Sequence, residues 1–217
     1  MSNHTDDSRT LGHVIVIDDD ASVRRSLCTM LKRAGYDVVL YDCADAFLCN
    51  PVISSPAVIL LDMRMPGTTG VGLQSQLNTL AKNVPVIFVS GDSRPEEIIE
   101  AMKQGAVDFL LKPFTAQAMM EVIQRAMSVS EQAVVVADKN LQVSERLKRL
   151  TPREMEVCHW MVRGYSNQQI ATIDGGASAT IKLHRARVMD KMSAHTLPEL
   201  IDMLIGLDIP LPQRAVA

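Results

Sequence analysis

Five short runs rich in aliphatic residues, at 13–17, 36–41, 57–62, 86–89 and 108–111, set the rhythm of the first half of the chain. Each is of strand length and bounded by Gly, Pro, Asp or Ser, which predicts β-strands. In the second run Val38 and Leu40 fall on one face. The third, Ala57-Val58-Ile59-Leu60-Leu61-Asp62, does not alternate at all before its acid, the pattern of a strand covered on both faces. Helical patterns fill the gaps at 21–34, stopped by Gly35, then at 43–49, 70–80, from Pro95 to before Gly105, and from Ala116, where Thr115 stands as the cap. Strand and helix alternating five times predicts an α/β doubly wound five-stranded parallel sheet, because parallel neighbours need right-handed crossovers.

Beyond residue 149 the strand pattern vanishes and helix signals crowd together. Thr151-Pro152-Arg153-Glu154 combines a cap, a first-turn proline and a capping box, with Leu150 and Met155 as staple, and this helix ends at Gly164. Ser166-Asn167-Gln168-Gln169 opens a short helix through Ile173, Asp174-Gly175-Gly176 is a turn, and a basic helix runs from Ala177 or Ser178 to about Met192. Thr196-Leu197-Pro198-Glu199 caps a fourth. A short helix, a glycine turn and a basic helix predict an all-α four-helix unit of helix-turn-helix type. The expected organisation is a domain at 12–128, a helical linker at 129–149 and a second domain at 150–212. Two readings of the linker stand side by side. Positions 122, 126, 129, 133, 136, 140, 143, 147 and 150 form a heptad seam with Asn140 as its polar member, or Asp138-Lys139-Asn140 is a turn.

Composition narrows the class. The run Val14–Ile17 is too short for a secretory signal or a membrane span, so the expected location is the cytoplasm with no membrane partner. Cys28, Cys43, Cys49 and Cys158 form no CxxC pair, which favours reduced structural thiols. The net charge of −3 divides unevenly: 11 Lys/Arg against 15 Asp/Glu in residues 1–128, but 11 against 10 in residues 129–217. Within the second half, Lys182, Arg185, Arg187 and Lys191 face Asp190 alone between Ser178 and His195, a focused basic patch.

In a doubly wound sheet the strand C-termini share one edge, where ligands bind. That edge carries Asp18-Asp19-Asp20, Asp62, Ser90 and Lys112. Crowded carboxylates repel unless a hard cation such as Mg²⁺ neutralises them, and Mg²⁺ suits one or two carboxylates plus phosphate oxygens. Lys112 would hold a phosphoryl oxygen, the Ser90 hydroxyl would donate to another, and Asp62, alone at the central strand's tip, is the nucleophile for an acyl phosphate. Asp18-Asp19-Asp20-Ala21-Ser22 also approximates the nucleophile loop of haloacid-dehalogenase-like phosphatases. That enzyme reading makes Asp18 the nucleophile and leaves Asp62 and Lys112 without a task, so the chain is not read as an enzyme.

Residues 12–128 resemble a response-regulator receiver domain, of flavodoxin-like fold. The likeness rests on Asp18-Asp19, Leu61-Asp62-Met63-Arg64-Met65-Pro66-Gly67, Ser90-Gly91 and Lys112-Pro113-Phe114 preceded by Phe109. The resemblance implies Asp19, Asp62 and the Arg64 backbone carbonyl as Mg²⁺ ligands with Asp18 in support. It implies phosphorylation of Asp62 by a partner histidine kinase, a cis Lys112–Pro113 peptide, and Ser90 with Phe109 as a switch pair.

On the basic helix, Ile181, Val188 and Met192 share a face that must be core, while Lys182, Leu183, Ala186 and Arg187 point away from it. Lys182 and Leu183 are the candidates for base edges, with Thr180, His184, Arg185, Arg187 and Lys191 for the phosphate backbone. His184 has a second reading as a core-edge histidine, and His159 and Trp160 read as packing residues. Leu150-Thr151-Pro152-Arg153-Glu154, Gly164 to Ala171 and Thr180 to Arg185 resemble the LuxR-type helix-turn-helix of the FixJ/NarL family. The chain departs from that pattern at Asp174, Gly176, Ala177 and Ala179, which should loosen the turn, so that either Ser178 caps one residue late or DNA affinity is weakened and depends on dimerisation. The resemblance implies a two-component transcription regulator that binds promoter DNA as a phosphorylation-promoted homodimer. The alternative is a receiver whose degenerate output binds protein.

Overall fold

The computed structural model describes residues 10–79, 84–91, 93–205 and 207. The chain divides into two compact units, through Val135 and from Val136. In the first, β1 (His13–Ile17), β2 (Asp37–Tyr41), β3 (Ala57–Asp62), β4 (Val86–Ser90) and β5 (Asp108–Leu111) form one sheet in the order β2-β1-β3-β4-β5. Every neighbouring pair is parallel. The intervening helices are α1 (Ala21–Arg33), α2 (Ala44–Cys49), α3 (Gly70–Thr79), α4 (Pro95–Lys103) and α5 (Ala116–Lys148). The expected last residue of α3, Leu80, lies outside the described residues.

Period-two alternation in the buried strands sorts the core into two layers. Ile15, Ile17, Ile59, Leu61 and Phe88 face α2, α3 and α4, packing with Phe47, Leu73, Leu77 and Ala101. Val14, Val16, Val58, Leu60, Ile87 and Val89 face α1 and α5, packing with Leu27, Leu31, Met119, Ile123 and Ala126. β2 is an edge strand, so Val38 packs inward while Leu40 on the same face stays exposed. Val122 and Ala126 of the linker seam belong to this sheet core. No turn interrupts α5 at 138–140.

In the second unit α6 (Pro152–Val162), α7 (Asn167–Asp174), α8 (Ser178–Met192) and α9 (Leu197–Leu204) enclose a core of Val157, Trp160, Ile170, Ile181, Val188, Met192 and Leu200, joined by Val143 from α5. Of the expected 150–212 domain, residues 206 and 208–212 lie outside the described residues. Thr151 and Ser166 close reciprocal capping boxes with Glu154 and Gln169, and Thr196 caps α9. The expected loosening of the turn after α7 is not what the structure shows. Gly175 takes the left-handed conformation (φ +71°), the N–H groups of Gly175 and Gly176 donate to the Ala171 carbonyl, and the Asp174 carboxylate pairs with the Arg153 guanidinium of α6. Nor does Ser178 cap late: Ala177 holds the cap position of α8 and supplies no side-chain acceptor.

Gly70 marks the tightest approach beneath the sheet edge. A Cβ there would lie 2.5 Å from the Asp62 carbonyl oxygen and 3.1 Å from the Met63 Cα, both backbone atoms. Gly70→Ala should therefore destabilise the first unit by about 1–3 kcal/mol. Gly72→Ala, two residues on, meets only side-chain atoms at 3.3 Å or more and should stay within about 1 kcal/mol of the parent. Urea denaturation of the two variants checks the contrast.

Candidate functional site

The ends of β1, β3 and β5 bring three of the expected residues together. The Lys112 Nζ donates to Asp18 Oδ2 at 2.9 Å and to Asp62 Oδ1 at 3.0 Å. Asp62 Oδ2 accepts from the Arg64 N–H at 2.9 Å, and Asp18 Oδ1 from the Asp20 N–H at 2.9 Å. Asp18 and Asp62 are 3% and 8% exposed, so one ammonium compensates two nearly buried carboxylates. Burial pushes the Asp62 carboxyl above its ordinary value; Lys112 and the Arg64 N–H oppose this, and Asp18 adds to it. Burial pulls the Lys112 ammonium down, but its bonds to Asp18 and Asp62 outweigh that and leave it above its usual value.

The three consecutive acids do not crowd this edge as a group. Asp19 is exposed, and Asp20 caps α1, its Oδ1 accepting from the Ser22 N–H at 2.7 Å. The Ser22 hydroxyl first, then the Ser22 and Val23 N–H groups, hold the Asp20 carboxyl below its usual range. Among the described residues no cluster of three or more His, Cys, Asp or Glu side chains is arranged to hold a metal ion. Two oxygen-donor carboxylates with a net negative charge nevertheless fit a hard cation that keeps several waters. The Lys112–Pro113 peptide is cis.

Ser90 closes β4 almost fully buried, and Phe109 is half-buried on β5, packed against the layer that contains Phe88. Two neighbours of this edge escaped the sequence reading. Ser93 Oγ lies 2.7 Å from Ser90 Oγ and 3.1 Å from Met63 Sδ, and Arg24 Nη1 donates to the Asp18 carbonyl at 2.6 Å. The signals were faint: a serine three residues past a strand end, and an arginine in the first turn after three acids.

In the helical unit, Ile181, Val188 and Met192 are fully buried, while Thr180, Lys182, Leu183 and Arg187 are exposed. Three other proposed phosphate contacts are placed differently. Lys191 Nζ donates to Glu154 Oε2 at 2.6 Å and to the Arg149 carbonyl at 3.1 Å, and Arg185 Nη1 donates to the Tyr165 carbonyl at 3.0 Å. Both cations are engaged within the domain, and Glu154, the acid beside Lys191, is removed from water. His184 is half-buried, with its Nδ1 inside. His159 and Trp160 pack inside.

A parallel sheet with paired acids and a lysine on its carboxyl edge, followed by a helix-turn-helix, defines a signal-responsive regulator with separate input and output domains. The chain belongs to the response regulators with luxR-type output: residues 14–124 match the response regulator receiver domain and residues 148–204 the bacterial regulatory proteins of the luxR family. It is similar to the transcriptional regulatory protein FixJ of Bradyrhizobium diazoefficiens, at 38% identity over 88% of this chain and 94% of that one. It is likewise similar to the tetrathionate response regulatory protein TtrR of Salmonella typhimurium, at 36% identity over 86% and 88%. The solved structure of the response regulator StyR superposes with a TM-score of 0.75 at 35% identity, covering 88% of this chain and 97% of that one. The protein is thus a two-component transcription regulator with a DNA-binding helix-turn-helix, under control by phosphorylation. Its family is one of transcriptional response regulators rather than enzymes. Receiver domains generally bind Mg²⁺ at the phosphorylation site, and response regulators generally work with histidine kinases and promoter DNA. No helix among the described residues is long and apolar enough to cross a membrane.

The buried Glu154 makes the helical unit acid-sensitive. The Lys191 bond first, and the Thr151 N–H second, hold its carboxyl below the ordinary 4.5. A carboxyl depressed in the fold stabilises above its unfolded value and loses that contribution as pH falls through the folded one. The unit should therefore hold its Glu154 contribution above about pH 4.5 and lose it below. Lys191→Met should cost about 1–3 kcal/mol and move the loss to higher pH. Thermal melts from pH 3 to 7 on parent and variant measure both.

Proposed function

We propose that Asp62 is the residue phosphorylated, by a partner histidine kinase, and that Lys112 and Ser90 hold the phosphoryl group. The observation that carries this is the Lys112 ammonium lying between Asp18 Oδ2 and Asp62 Oδ1. An Asp62 oxygen attacks phosphorus, the bond from phosphorus to the kinase's histidine nitrogen breaks, and an acyl phosphate remains. Lys112, already at the carboxylate, balances the charge that gathers on the transferred oxygens. Mg²⁺, held by Asp19, Asp62 and the Arg64 backbone carbonyl with Asp18 behind them, would shield the phosphoryl group from the carboxylate it approaches.

The acyl phosphate adds roughly −1.5 to −2 charges where two acids already share one lysine. Ser90 then turns its hydroxyl from Ser93 toward the new oxygens, and the Phe109 ring moves into the space Ser90 leaves. Two phosphorylated receivers pair, and their helix-turn-helix units address two half-sites of promoter DNA in the cytoplasm, about one helical turn apart or a multiple of it. Thr180, Lys182 and Arg187, exposed on α8, meet the duplex, and the domain boundaries 12–128, 129–149 and 150–212 divide the labour.

Acetyl phosphate with Mg²⁺ should add one phosphoryl group to the parent and none to Asp62→Asn by intact mass. Equal labelling of the variant, with Mg²⁺ immaterial to both, would overturn the assignment. Light scattering should show the labelled parent as a dimer and Asp62→Asn as a monomer; a monomer in both forms would remove the pairing step.

A further inference from the structure

Helical geometry separates the exposed side of α8 into a midline and two flanks. At about 100° per residue, Ile181, Val188 and Met192 define the buried direction, and the line opposite them passes within about 40° of Ala179, Leu183, Ala186 and Asp190. Lys182 on one side, Thr180 and Arg187 on the other, stand about 60–80° away from that line. All seven are exposed, and Leu183, an aliphatic side chain 52% open to water, is the largest group on the midline. The part of α8 that projects farthest from the domain is therefore apolar through Ala186, and acidic only at Asp190 near its end. Arg185 and Lys191, which could have added polar contacts, are tied to the Tyr165 carbonyl and to Glu154.

We infer that this protein reads its DNA site chiefly through thymine methyl groups, with Leu183 as the specificity-determining residue and Ala179 and Ala186 as the flat ground around it. The inference rests on the DNA-binding reading above and gives that site its base preference. In the major groove each base pair shows its own edge, and the thymine C5 methyl is the apolar feature among them. An aliphatic midline offers no donor or acceptor to any base edge, so thymine, through its C5 methyl, is the base that gives it a favourable contact. The cations on the flanks lie where the groove walls carry phosphates, so they fix register without reading sequence. Asp190 confines the approach to the first half of α8, because deeper insertion at its far end would bring a carboxylate toward phosphate.

The full-length protein, phosphorylated with acetyl phosphate, is used to enrich duplexes from a random pool, and an enriched duplex is then remade with dU in place of dT one position at a time. dU keeps the pairing and removes only the methyl. At the positions under Leu183, each replacement should weaken parent binding about three- to fivefold, as expected for one buried carbon. Leu183→Ser should bind the dT and dU duplexes alike, and 5-methyl-dC opposite dG at the same position should bind the parent better than dC does. Tight, salt-dependent binding with no dT-over-dU preference would overturn the methyl readout and leave the DNA-binding reading standing. An undiminished preference in Leu183→Ser would also overturn it. Enrichment of no duplex at all would overturn both.

Discussion

One ammonium shared by two buried carboxylates is the constraint on which the receiver half depends. Lys112 reaches Asp18 and Asp62 from the end of β5, so strands β1, β3 and β5 must finish in register for the three groups to meet. The local bonds from the Asp20 and Arg64 N–H groups orient each carboxylate but do not bring the three strand ends together. The order β2-β1-β3-β4-β5 places β3 centrally, and two apolar layers clamp it from both sides. Gly70 then lets α3 begin directly beneath the Asp62 carbonyl, where a methyl group would strike backbone. The arrangement leaves the site one negative charge in excess, and that excess gives the edge its affinity for a cation and its sensitivity to an added phosphoryl group.

The helical half follows the same rule. Glu154, 2% exposed, is an acid removed from water, and Lys191 answers it from α8 while the Thr151 N–H answers it from its own capping box. Arg153 meets Asp174, and Arg185 meets the Tyr165 carbonyl, so charges that look like a nucleic-acid surface in the sequence also tie α6, α7 and α8 together. What remains outward is narrower than the full basic patch: Thr180, Lys182 and Arg187 around an aliphatic centre.

The glycines after α7 show how a departure from a family pattern is absorbed. Gly175 supplies the left-handed turn that ends the helix, and Asp174 becomes one half of an ion pair with Arg153. The cost falls on the cap of α8, where Ala177 offers no acceptor. A local weakness is offset by a contact fifteen or more residues away in the chain, from Asp174 to Arg153 and from Glu154 to Lys191.

By itself the sequence determined the strands, the helices and their alternation, because apolar periodicity, capping boxes and Pro/Gly punctuation act over a few residues. It also named Asp62, Lys112 and Ser90 as groups at strand ends, since the carboxyl edge of a parallel sheet is a consequence of strand direction alone. Whether Asp20 would join Asp18 or cap α1, whether Lys191 would face solvent or Glu154, and that Ser93 would sit against Ser90, were decided only in the tertiary structure. A side chain's pattern says which face it occupies, whereas its charge partner depends on which distant residue packing carries within about 3 Å of it.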